Sequence, residues 1–379
     1  MNEKAEFCPY GFQKENLISR MKETGVNGIL LGSIENVYYT TCYTVLPSSG
    51  NPILYSLRKL FPFFSFISED GEVALACWGY STLGVKFGVD KIFGFSSTPE
   101  ALATLTSMLK GKLPTGATLG IETSLPYFVL DLLNEKVKPG NLAIVDDYLL
   151  EMRLIKSEKE LLLLKKSIEI IEKTLLELYD SVHIGMSRLD LTQEAKTRLF
   201  QNGAMGISHI TFTFGKANPE IAIGETLDPN RLVVLDLGGI YKGYASDNRR
   251  YAYTGKVPNA LNDHYMKMVE IVDRVGDTLI PGNKYSDIYQ RVLDLYRANG
   301  IDFNKNPFNH VGHNIGLETE EDWLTDNPDQ TVKTGMVINI ELYTEAPNGD
   351  TIGNEETYVV SDQGPIRIST LPREIRSIS

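Results

Sequence analysis

The sequence predicts two domains: an α/β layer domain over residues 1–153 and an α+β domain over residues 154–379 built from two related halves. Three observations support this division. A chain of 379 residues is longer than one ordinary hydrophobic core organises. Helical and strand patterns alternate from about Asn16 to Asp147. Beyond Arg153 a helix, a second helix and a β-hairpin occur twice in succession.

The elements follow in order. ENLISRMKETG reads as an amphipathic helix closed by Gly25, and VNGILLG as a buried strand. EVALACW and ATLGIE are further strands, separated by the helical stretch PEALATLTSMLKG. No catalytic constellation stands out in this first domain. The text changes at Arg153 to LIKSEKELLLLKKSIEIIEKTLLELYD, a long helix. Ser157 is placed to cap it, with Glu160 three residues on to return the hydrogen bond. Its leucine and isoleucine stripe is core. VHIGMS then leads a helix ending at Gly203, and LIPGNKYS leads another ending at Gly300. The pairs Gly185 with Gly203 and Gly282 with Gly300 have identical separations, which implies pseudo-twofold halves closing on one site.

Composition narrows the function classes. A net charge of −12 argues against a nucleic-acid surface and against an anionic membrane. Cys8, Cys42 and Cys77 are scattered without metal-ligand spacing, which suits a reducing compartment. MNEKAEFCPYGFQKEN has no basic region leading into an apolar one, so no signal peptide is expected. With no apolar run of about 18 residues, no spanning helix is expected either, and the cytoplasm is the expected location.

The chemistry sits in the hairpins. RLVVLDLGGIYKGYASDNRRYAYTG reads as two strands turning at or near Lys242-Gly243, which brings Asp236 nearly opposite Asp247. Carboxylates about 5 Å apart repel unless a cation, a proton or a base lies between them. A lone strand aspartate is usually an edge or turn residue, but two facing across a hairpin are harder to dismiss. In GMVINIELYTEAPNGDTIGNEETYVV, Asn348-Gly349 is the turn, and Glu341 faces Glu355 or Glu356. One imidazole would complete an oxygen-rich site for two cations. His313, between glycines in GHNIG, is placed to supply it, with His310 nearby. Such ligation favours Mn²⁺, Co²⁺, Fe²⁺ or Zn²⁺ over a thiolate-type site, and a bimetal site suits hydrolysis.

These segments resemble the pita-bread metallopeptidase family of aminopeptidase P, prolidase and methionine aminopeptidase, with creatinase as a metal-free relative. ISRMKETGVNGILLGSIENVYYTTCY is similar to the opening of a creatinase/prolidase-type N-terminal domain, and RLIKSEKEL to the start of the catalytic domain. LDLGGIYKGYASDNRR is similar to the two-aspartate hairpin, GHNIGLE to the histidine motif, GMVINIE to the first glutamate and NEETYVV to the second, which selects Glu355. The resemblance implies a pita-bread catalytic domain over residues 154–379 with Asp236, Asp247, His313, Glu341 and Glu355 as ligands of two divalent ions. It also implies a hydroxide bridged by those ions, oriented or deprotonated by Glu341, and a homodimer.

The chain departs from the family pattern around that shell. GKANPEIAIGE lacks the expected histidine, and Glu320-Glu321 stands where a His-Glu pair is usual. Asn309 replaces a histidine four residues before His313, with His310 one place later. Arg249-Arg250 replaces Thr-Arg, and Gly353-Asn354 replaces an arginine before the last glutamate. His310, Glu320, Glu321, Arg249 and Arg250 are therefore the candidates for contacting a substrate, although charged residues are more often solvated surface. The expected activity is cleavage of a peptide or amide C–N bond in a small substrate, of Xaa-Pro dipeptidase or aminopeptidase type. A small-molecule amidohydrolase of creatinase or ectoine-hydrolase type is the alternative, and an inactive binding module a third.

Overall fold

The computed structural model describes residues 5–7, 9–44, 46, 51–216, 219–221 and 224–378; Cys8 and part of GKANPEIAIGE lie outside the described residues. Packing divides the chain into a unit from Met1 to Arg153 and a unit from Leu154 to Ser379.

In the first unit the helix Lys14–Thr24 ends on Gly25, whose φ of 72° is the left-handed conformation a helix stop requires. The next strand, Gly28–Leu31, is buried along its whole length. It lies inside a mixed six-stranded sheet ordered Lys91–Phe95, Val73–Trp78, Phe64–Ser68, Gly28–Leu31, Thr118–Ile121 and Asn141–Ile144. Its partner Thr118–Ile121 runs parallel and Phe64–Ser68 antiparallel. The helix Thr98–Lys110 seals one face by burying Leu105, Met108 and Leu109 against Phe64, Phe66 and Leu119.

The second unit begins with the helix Glu158–Tyr179, where Ser157 and Glu160 form the reciprocal capping box. Ile170, Ile171, Leu175 and Leu178 pack beneath Leu235 and Leu237, while Leu162 and Leu176 lie off that stripe and face solvent. The internal repeat is visible in the structure. Arg188–Gln201 and Tyr285–Ala298 are the paired second helices. Each follows a short antiparallel bridge, Ser187 to Thr226 in one half and Lys284 to Thr331 in the other.

Each half then lays down a hairpin. Leu232–Tyr241 pairs with Asn248–Thr254, and Val337–Glu345 with Thr351–Ser361. The first turn places Lys242 and Gly243 both at positive φ, 48° and 88°, which closes Tyr241 against Tyr244. A third strand flanks each hairpin: Gly206–Ile210 beside the first and Gly312–Asn314 beside the second. Among the described residues, no helix is long and apolar enough to cross a membrane.

Two buried ion pairs hold this unit. Arg250 reaches Glu356 at 3.0 Å, with both side chains fully buried. Lys156 reaches Glu321 at 2.8 Å, with 1% of each side chain exposed.

Candidate active site

The register decides which side chains share the site face. In the second hairpin Glu341 opposes Glu355, Asn339 opposes Thr357 and Tyr343 opposes Gly353. Glu356 therefore points to the other face, where Arg250 takes it. In the first hairpin Asp236 opposes Arg249, not Asp247. The two aspartates, expected nearly opposite, are a diagonal pair: Asp247 lies one residue before its strand, two positions from Arg249, and shares the face with Asp236. The two-residue turn at Lys242-Gly243, which pairs Tyr241 with Tyr244, fixes this register and sets Asp236 opposite Arg249.

His313 enters on its short strand because Gly312 lies tight against the neighbouring strand. A Cβ on Gly312 would land on the Asn339 carbonyl oxygen. The His313 ring is fully buried, with Nε2 3.7 Å from Asp247 Oδ2 and 3.8 Å from Glu341 Oε2. The structure thus brings Asp236, Asp247, His313, Glu341 and Glu355 into one buried cluster. Two groups of three offer ligand atoms all within 4.8 Å of one another: His209, Asp236 and Asp247, and Asp247, His313 and Glu355. Asp247 belongs to both.

His209 was absent from the sequence expectations. Its signal was the repeat itself, since each half places a histidine on the strand beside its carboxylate strand. The isolated string SHITF gives no other hint.

The electrostatics of the cluster divide it. Burial raises the Asp236 carboxyl, but the Arg249 guanidinium, His209 and Thr211 outweigh this and leave it below the ordinary carboxylate range. Burial likewise raises Asp247, and His209 reverses the direction. Glu341 stays raised by burial despite His313 and Arg249. Glu355 is raised well above its ordinary value by burial and by the charges of Asp247, Glu341 and Asp236. Its Oε2 is buried without a hydrogen-bond partner, while Oε1 accepts from Asn339 Nδ2. Four carboxyl groups, one with an oxygen that lacks a hydrogen-bond partner, the buried His313 imidazole and the half-buried His209 imidazole form a donor set that suits divalent cations.

The candidate substrate contacts fare differently. Arg249 is drawn into the cluster: Nη2 donates to Asp236 Oδ2, lies 4.0 Å from Glu341, and the guanidinium stacks 4.2 Å over the Tyr343 ring. The Tyr343 hydroxyl donates to Glu341 Oε1, and the ring covers Gly353, where a Cβ would meet its Cδ1 at 2.8 Å. Arg249 thus brings a guanidinium to the site from the first hairpin.

Arg250 serves the back of the sheet, as its pairing with Glu356 shows. Glu321 turns inward: it pairs with Lys156 at 2.8 Å and accepts from the Leu317 backbone N–H at 3.1 Å. Glu321→Gln should lower unfolding stability by about 3 kcal/mol in urea titrations while leaving KM within about twofold. Glu320 is exposed and accepts from Trp323 Nε1 at 2.5 Å. His310 is buried in a stack between Phe308 and Trp323, at 5.1 and 5.2 Å, and burial pushes its imidazole down to about 4.

Residues 163–362 match metallopeptidase family M24, and residues 13–155 match the creatinase/prolidase N-terminal domain. The chain is 28% identical over 264 residues to an Xaa-Pro dipeptidase of Pyrococcus horikoshii, covering 68% of this chain and 74% of that protein. It is 26% identical over 360 residues to an Xaa-Pro dipeptidase of Lactobacillus delbrueckii subsp. lactis, covering 92% of this chain and 94% of the relative. Among solved structures, the prolidase from Pyrococcus horikoshii OT3 superposes with a TM-score of 0.80 at 23% identity, covering 96% of this chain and 99% of that one. The X-Pro aminopeptidase from Thermotoga maritima MSB8 gives 0.79 at 20% identity, covering 97% and 99%. These structural likenesses establish the two-domain fold. With more than half its length matched, the chain belongs to metallopeptidase family M24 and is a metallohydrolase.

Proposed function

We propose that this metallohydrolase cleaves small Xaa-Pro peptides, using two divalent ions held by Asp236, Asp247, His313, Glu341 and Glu355. The convergence of those five side chains in one buried cluster carries the reading. The names of the relatives supply the substrate class. Bound cations supply Lewis acidity and an activated water, the requirements of amide hydrolysis. Glu341 is the proton acceptor: burial raises its carboxyl, and the Tyr343 hydroxyl fixes one of its oxygens. Asp247 joins the two ligand groups, and Arg249 fixes Asp236. Manganese is our choice of ion for an oxygen-rich set. The buried Cys77 thiol suits a cytoplasmic location, and a homodimer is the proposed assembly.

A small-amide hydrolase is the second reading. The Arg249–Tyr343–Glu341 group favours it, because it fills ground that the resemblance assigns to other residues.

Chelator-stripped protein should be inactive and regain activity with Mn²⁺ or Co²⁺. It should prefer Xaa-Pro over Xaa-Ala dipeptides by at least about 10-fold in kcat/KM, followed by amino-acid release. Activity that survives the chelator overturns the metal reading. Failure on every proline peptide with turnover of small amides establishes the second reading.

A further inference from the structure

His209 has no role in the resemblance, yet its surroundings are those of a built site. It lies on Gly206–Ile210, antiparallel to the first carboxylate strand and opposite Gly238. His313 lies on Gly312–Asn314, antiparallel to the second carboxylate strand and opposite Asn339. The two histidines stand on counterpart strands of the internal repeat, His209 opposite the second residue after Asp236 and His313 opposite the second residue before Glu341. His209 Nε2 is 3.1 Å from Asp236 Oδ1 and 3.1 Å from Asp247 Oδ1. Metal–ligand bonds of about 2.1 Å set at right angles put neighbouring donor atoms about 3 Å apart. The three atoms therefore have the spacing of one coordination shell.

The ring is held for this task. Its Nδ1 is 3.0 Å from Ser208 Oγ, which fixes the orientation and leaves Nε2 facing the carboxylates. Gly238 makes room: a Cβ there would land on Ser208 Oγ and lie 2.5 Å from His209 Cε1. Arg249 and Thr211 both donate to Asp236 Oδ2, while Oδ1 faces His209. Asp236 thus has one oxygen to offer a cation, and a nitrogen stands where a second oxygen would otherwise serve.

We propose that His209 is a sixth metal ligand, its Nε2 joining Asp236 Oδ1 and Asp247 Oδ1 around one divalent cation. Each half of the domain then contributes one imidazole and two carboxylates. The proposal rests on the metal-dependent reading above. Its rival is a fixed imidazolium that neutralises the two aspartates without touching metal.

Two measurements on the whole chain, stripped with chelator, decide between them. With ¹⁵N-labelled histidine and Zn²⁺ as the probe, the His209 Nε2 resonance should move to the position of a metal-bound nitrogen alongside that of His313. In calorimetric titrations with Mn²⁺, His209→Ala and His209→Gln should each weaken one of about two binding steps by about 100-fold and leave the other unchanged. The proposal is overturned if His209 Nε2 stays protonated while His313 shifts, or if both variants keep both steps at unchanged Kd. If neither histidine shifts and no Mn²⁺ binds, the metal-dependent reading fails, and this proposal fails with it. The spectroscopic arm uses the unmutated chain, so misfolding of a variant cannot mask the answer.

Discussion

Asp247→Asn is expected to abolish activity, lowering kcat/KM by about 10³-fold or more. Asp247 is the one residue shared by both groups of ligand atoms: its carboxylate faces His209 at 3.1 Å through Oδ1 and His313 at 3.7 Å through Oδ2. An amide keeps the shape but replaces one anionic oxygen with an N–H₂ donor that repels a cation. Calorimetry should therefore show both metal-binding steps weakened together, which no other single ligand substitution should do. Glu345→Gln is the control. Glu345 is exposed at the end of the Val337–Glu345 strand, paired only at the surface with Lys305, and its loss should change neither binding nor rate. Retention of full Mn²⁺ affinity by Asp247→Asn would remove the basis for a shared site.

Arg250→Met should be the most destabilising substitution on the far side of the same sheet, costing about 3–5 kcal/mol in urea or thermal unfolding. The Arg250 guanidinium is fully buried. It donates to the Glu356 carboxylate at 3.0 Å and to the carbonyls of Pro372, Arg249, Glu355 and Leu371 at 3.1, 2.8, 3.2 and 3.4 Å. Methionine fills part of the volume but leaves a buried carboxylate and several carbonyls without donors. Ser369 still donates to Glu356, and Arg373 stays 3.9 Å away, so the carboxylate is not wholly abandoned. The double variant Arg250→Met with Glu356→Leu should recover much of the loss, because the cost lies in the stranded charge. Equal instability of the single and double variants would locate the cost in the carbonyls instead.

The two adjacent arginines show how far the sequence could be read. Arg249 and Arg250 are indistinguishable in the string SDNRRY, yet strand alternation sends one to the cluster and the other to the back of the sheet. The face each one takes depends on register, which the two-residue turn at Lys242-Gly243 sets. That turn sets Asp236 opposite Arg249 and leaves Asp247, expected nearly opposite, two positions along the same face. Features encoded locally were legible: the Ser157 capping box, the Gly25 stop, the turn at Lys242-Gly243 and the repeated glycine spacing each depend on a few neighbouring residues. His209 and the inward turn of Glu321 were not, because each is defined by partners 27 to 165 residues away. Acidic neighbours in a string such as ETEED look alike until one of them meets a buried lysine.

Arg249 and His209 also bear on how the enzyme is made. Four acidic groups buried together would normally resist burial of the chain around them until an ion arrived. Here the Arg249 guanidinium and the His209 ring, from the same polypeptide, already lie among them as hydrogen-bond partners. Maturation can therefore be sequential: the polypeptide reaches its final shape first, and inorganic loading follows as a separate and reversible event. Starvation for the ion would leave a silent but intact reserve of enzyme, ready to be switched on without new synthesis.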